Sequence, residues 1–100
     1  MIISLDARCP QGYTYKTGSV DGDSTTLVEE PLMIDRTGIT DGQTDEECKI
    51  MCDMNPTCKA FEYSTKKQKC VRRIVGKPYT NSSRFEDFQW CSKSNLQILE

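Results

Sequence analysis

Thr44-Asp45-Glu46-Glu47-Cys48-Lys49-Ile50-Met51-Cys52-Asp53-Met54-Asn55-Pro56-Thr57-Cys58-Lys59-Ala60-Phe61-Glu62-Tyr63 contains a complete helix signal running directly into a strand signal. Its first residues form a capping box, in which the Thr44 hydroxyl accepts from the Glu47 amide and the Glu47 carboxylate reaches back to Thr44. Asp45, Glu46 and Glu47 also place negative charge at the positive end of the helix dipole. Asn55-Pro56 stops the helix, because proline disfavours helical backbone at the residue before it. The predicted helix therefore covers about residues 45–54. Cys48 and Cys52 lie four residues apart on it, with Met51 between them, so both thiols leave from one buried stripe. Two cross-links are expected to pin this one helix.

Working outward, the chain holds six cysteines, Cys9, Cys48, Cys52, Cys58, Cys70 and Cys91, and no histidine. An even count in a short chain reads as a disulfide framework, which persists only in oxidising compartments. A thiol oxidoreductase would show Cys-x-x-Cys, whereas the nearest pair here is Cys48-x-x-x-Cys52. Structural zinc wants two closely spaced pairs, and the spacings widen after Cys58. The domain is thus expected to be secreted or on the extracellular face of a cell surface.

One hundred residues make a single domain with a thin core, so cross-links must supply much of its stability. No apolar run approaches a membrane span, and residues 1–5 lack the charged start and long apolar region of a signal peptide. The expectation is a domain spanning residues 1–100, with its core between Cys9 and Cys91, excised from a larger secreted protein. Met1 then reads as an added initiator and Leu99-Glu100 as a cloning remnant. Asn81-Ser82-Ser83 is a permissible N-glycosylation acceptor, while Asn55-Pro56-Thr57 is disqualified by its proline.

Other segments read more coarsely. Tyr13 and Tyr15 alternate with polar neighbours over residues 10–17, which suits a strand. Residues 18–24 break regular structure; Asp21 and Asp23 lack the remaining oxygen ligands of an EF-hand loop and read as a solvated turn. Residues 27–35 suit a second strand interrupted by Pro31. Residues 58–63 and 70–75 read as two strands of a hairpin flanking a polar turn, and residues 84–91 as a final strand with Phe88 and Trp90 on one face. A helix on an antiparallel sheet is an α+β fold.

Glu47-Cys48-x-x-x-Cys52-x-x-x-x-x-Cys58-Lys59-Ala60-Phe61-Glu62-Tyr63, followed by Cys70, resembles the PAN/apple domain. The resemblance spans Cys9 to Cys91, although only Cys9 carries it in the first forty residues. It implies a helix cradled by a curved antiparallel sheet of about five strands. It also implies nested pairing, Cys48 with Cys70, Cys52 with Cys58 and Cys9 with Cys91. Spacing alone leaves the other pairings open.

No histidine means no Ser-His-Asp or Cys-His nucleophile and no histidine metal site. Glu46 and Glu47 are accounted for by capping, and Asp21/Asp23 and Glu29/Glu30 sit in solvated segments. No catalytic residue, metal ligand or cofactor is therefore assigned, and the chain is read as a non-catalytic binding or adhesion module for a protein or glycan, the role the resemblance implies.

Charge narrows the search for a surface. Residues 1–58 carry four Lys/Arg against eleven Asp/Glu, whereas residues 59–84 carry eight cations against Glu62 alone. Lys66, Lys67, Lys69, Arg72, Arg73, Lys77 and Arg84 are the candidate basic patch, and a sulfated, heparin-like glycosaminoglycan is its candidate ligand. Strand alternation allows only one of Arg72 and Arg73 on a common face. The alternative for these residues is a solvated hairpin kept soluble by lysines. Other readings are a protein-assembly or regulatory module offering a sheet face or the acidic residues 21–47 to a partner chain or neighbouring domain, and a neutral-sugar lectin stacking on Tyr13, Tyr15, Tyr79 or Trp90. Nucleic acid is disfavoured by the acidic half and by the lack of aromatics interleaved with the lysines. Membrane insertion is not expected.

Overall fold

A computed structural model describes residues 8–29, 38–81 and 87–94. Five strands form one sheet in the order β1-β5-β3-β4-β2: β1 Tyr13–Lys16, β2 Ile39–Asp41, β3 Ala60–Ser64, β4 Lys69–Arg73 and β5 Gln89–Lys93. Every neighbouring pair is antiparallel. The helix α1, Asp45–Met54, packs across β3 and β4, giving the α+β architecture.

The helix begins where its chemistry dictates. Thr44 Oγ1 accepts from the Glu47 amide at 3.1 Å and Glu47 Oε1 accepts from the Thr44 amide at 2.8 Å. Cys48 and Cys52 are fully buried on its inner stripe. Cys48 is bonded to Cys70 in β4 and Cys52 to Cys58 just before β3, so the helix is tied to both central strands; Cys9 is bonded to Cys91 in β5 across 82 positions.

Strand alternation divides the sheet into two faces. Phe61, Tyr63, Cys70 and Cys91 point toward the helix with Tyr13 and Val28, where the rings of Tyr13 and Phe61 are 5.0 Å apart. The other face carries Ala60 and Trp90 and is covered by Val20 and Val75. The two covering segments are joined there by the Ser19–Thr80 bridge. Gly18, at φ +111°, permits that approach, since a Cβ would stand 2.7 Å from the Thr80 carbonyl oxygen.

Three sequence expectations shift. The first strand is shorter than residues 10–17. The strand expected over residues 27–35 appears, within the described residues, only as the isolated Leu27–Arg73 bridge, and residues 30–37 lie outside them. The last strand runs past Cys91 to Lys93, while residues 82–86 lie outside the described set. Strand β2 had no sequence signal: three residues long, it exists by pairing with β4.

Candidate functional site

The β3–β4 hairpin closes at the Ser64↔Lys69 pair, leaving residues 65–68 as its turn. Ser64 Oγ accepts from the Lys67 amide, Gln68 takes the left-handed conformation at φ +52°, and the Gln68 carbonyl accepts from the amides of Gly42 and Gln43. The turn is therefore held at both its start and its end. Lys66 and Lys67 stand exposed on it. Lys67 Nζ lies 2.9 Å from Asp87 Oδ2 and 5.5 Å from the Phe88 ring centre, and Lys69 Nζ lies 3.2 Å from Asp41 Oδ1. The hydrogen bond from Lys67, with its charge, holds the Asp87 carboxyl below its ordinary value. Both pairs are solvent-exposed and of the kind worth about 0–1 kcal/mol, which an anionic ligand can displace.

Arg72 and Arg73 do not belong to this surface, and the seven-residue patch read from sequence is corrected accordingly. Both are buried, at 0% and 5% exposure. Arg73 Nε lies 2.8 Å from Glu62 Oε2, and its Nη1 donates to the Asp23 carbonyl and to Thr26 Oγ1. Arg72 Nη1 donates to Thr40 Oγ1 on the helix-facing side. Because β4 is flanked by β2 and β3, and each sheet face is covered, neither of its faces opens to solvent near these residues. Burial pushes the Glu62 carboxyl above its ordinary value, with the Arg73 charge and hydrogen bond offsetting part of that.

Lys77 is separated from the turn as well. It follows β4, at the opposite end of the hairpin, where with Lys16, Lys59 and Lys93 it lines a cleft of about 650 Å³. Sequence reading missed Lys16 and Lys93 because they close β1 and β5, far from the basic segment and neighbours only once those strands pair. Arg84 lies outside the described residues, and Asn81 is exposed.

The aromatic side chains weighed for sugar stacking divide. Tyr13 and Trp90 are core residues at 6% and 1% exposure, which removes them. Tyr15 is covered by the Arg8 guanidinium 3.9 Å from its ring centre. Tyr79 is exposed, with its hydroxyl donating to Asp23 Oδ2. Among the described residues no cluster of three or more acidic, cysteine or histidine side chains could hold a metal ion, and no helix is long and apolar enough to cross a membrane.

Residues 26–73 match the family model described as PAN domain. No curated protein and no solved structure matches the chain. PAN domains bind proteins or carbohydrates, are generally non-catalytic and occur in extracellular proteins. The matched segment contains α1, β2, β3, β4 and both disulfides that anchor the helix, and the strands outside it extend the same sheet. With its helix tied in this way to the two central strands of the sheet, the segment 26–73 is the part of the chain that carries the PAN/apple domain pattern.

Proposed function

We propose that this chain is a non-catalytic extracellular binding domain, a single unit of a larger secreted or surface protein, that recognises a polyanionic glycan of the sulfated glycosaminoglycan type. The observation that carries the reading is the hairpin tip, which presents Lys66 and Lys67 from a turn braced by Ser64, Gly42 and Gln43, and Lys69 from the first position of β4. A braced turn loses little conformational freedom on binding. The carboxylates of Asp41 and Asp87 already sit against two of these ammonium groups, in positions that sulfate groups would take over. Local field rather than the net charge of minus two governs such an encounter.

A protein-partner reading has its own observation: Ile50 and Met54, four apart on the outer face of α1, are 50% and 76% exposed. Heparin chromatography separates the two. The parent domain is expected to be retained and the Lys66→Gln/Lys67→Gln/Lys69→Gln variant to elute at lower salt while remaining folded, its unfolding midpoint lowered only by the loss of two exposed ion pairs. Retention of the parent no stronger than that of an acidic control removes the polyanion reading, and equal elution of the triple variant removes the hairpin tip.

A further inference from the structure

The cleft at the open end of the hairpin has a different electrostatic character from the tip. Lys16 ends β1, Lys59 precedes β3 and Lys77 follows β4, so lysines from three separate parts of the chain line a single concavity. No acidic residue belongs to its lining. Elsewhere Lys49, Lys67 and Lys69 each sit against a carboxylate.

Lys93 also lines the cleft, but its ammonium group is turned toward the last turn of α1. Its Nζ donates to the Cys52 carbonyl at 3.1 Å, which fixes one of the three donors of the ammonium group. Burial holds Lys93 below the ordinary lysine value; Asp53 opposes the shift, and the nearby Lys59 charge adds to it. Asp53 is itself engaged by Lys49 Nζ and by the Tyr13 hydroxyl.

The rest of the lining suits a polyol-like body bearing oxyanions. Thr14 and Ser92 are direct cross-strand partners on the sheet face away from the helix, and Ser92 is held in place by accepting from Trp90 Nε1 and donating to the Gly76 carbonyl. Ile74, 42% exposed, supplies an apolar wall. A volume of about 650 Å³ lies within the range of small-ligand pockets.

The geometry points to a second ligand site in the cleft lined by Lys16, Lys59 and Lys77, built for a compact polyanion that bears several sulfate or phosphate ester groups. It lies at the other end of the β3–β4 strands from the hairpin tip, so either site can fail without the other. Lysine ammonium groups bind such esters as point charges, and crowding several esters on one small body matches the crowding of the lysines.

The test is amide NMR of the ¹⁵N-labelled domain titrated with sucrose octasulfate, inositol hexakisphosphate and, as a neutral control, sucrose. Saturable shifts are expected at residues 74–77 and 92–94 with at least one polyanion and with neither site responding to sucrose. The tighter of the two polyanions then tells a sulfated sugar from a phosphate ester. Lys59→Gln/Lys77→Gln, which changes two exposed side chains, should weaken binding about tenfold or more through loss of two charge-assisted contacts. Lys59→Arg/Lys77→Arg should retain most of the affinity, and Lys66→Gln/Lys67→Gln should leave it within about twofold, since the tip charges lie beyond a Debye length of roughly 8 Å. Absence of saturable shifts at the cleft, or equal affinity of the parent and the Lys59/Lys77 glutamine variant, overturns the site.

Discussion

Arg72 and Arg73 stand in the same cationic run as the lysines before them and do different work. In the chain they belong to a run of cations; in the sheet, β2 and β3 close over the flanks of their strand and the two core layers close over its faces. Arg73 is consequently tied to Glu62, Asp23 and Thr26, joining the sheet to the loop that covers it. Removing one member of a buried pair leaves the other charge unpaired, so Arg73→Ala should cost about 3–5 kcal/mol, whereas Lys67→Gln, which breaks an exposed pair, should cost about 1 kcal/mol or less. Urea midpoints of the two variants, compared with the parent, check this order. Such burial was not legible in the sequence, because it depends on which strands lie beside β4, and β2 is recruited from 30 positions away. The same loop supplies a pH effect. Asp23 accepts from Thr25 and from the Tyr79 hydroxyl, and these bonds hold its carboxyl at about 2, below its ordinary value of 3.8. A lowered carboxyl stabilises the fold above its unfolded value and loses that contribution as pH falls through its folded value. Acid titration by circular dichroism should therefore show Asp23→Asn less stable than the parent near neutrality, with the difference shrinking between pH 3.8 and about 2. A constant difference across that window would assign the effect to something other than the carboxylate charge.

Among the elements, α1 was the most legible, since its start, its stop and its buried stripe are all local features. The box at Thr44 and Glu47 and the stop at Asn55-Pro56 give the observed bounds Asp45–Met54. Thr44→Ala removes the acceptor for an otherwise orphan amide and should cost about 1 kcal/mol; an unfolding midpoint equal to that of the parent would show that the tertiary cross-links alone hold the helix start. The central hairpin was legible for a similar reason, with Phe61 and Tyr63 alternating against a polar turn. The short outer strand was not. Residues 39–41 have one apolar side chain and form a strand only because Val71, Cys70 and Lys69 present an open edge to them. The end of β5 was hidden by polarity, since Ser92 and Lys93 continue the strand beyond Cys91 by pairing with Thr14 and Tyr13.

At the scale of the whole molecule, the three disulfides join the helix to the two central strands and the chain's first described turn to its last strand. The chain-entropy model assigns the widest of these loops about 4–5 kcal/mol and the six-residue one about 2 kcal/mol, contributions that overlap where loops nest. This framework lets a thin core carry rigid surfaces at both ends of one hairpin. The basic segment, continuous in sequence, is thereby divided into an exposed tip, a buried pair of arginines and one contribution to a distant cleft. Composition revealed that positive charge was concentrated, and topology decides where it is displayed. The central claim is that the displayed charge at the tip is a binding surface. Its most direct test is an amide NMR titration of the labelled domain with a heparin-derived oligosaccharide, repeated at raised salt. Saturable shifts at residues 65–69, weakening steeply as salt screens the encounter, are the predicted result. No response at residues 65–69, or shifts confined to the outer face of α1 around Ile50 and Met54, would contradict it.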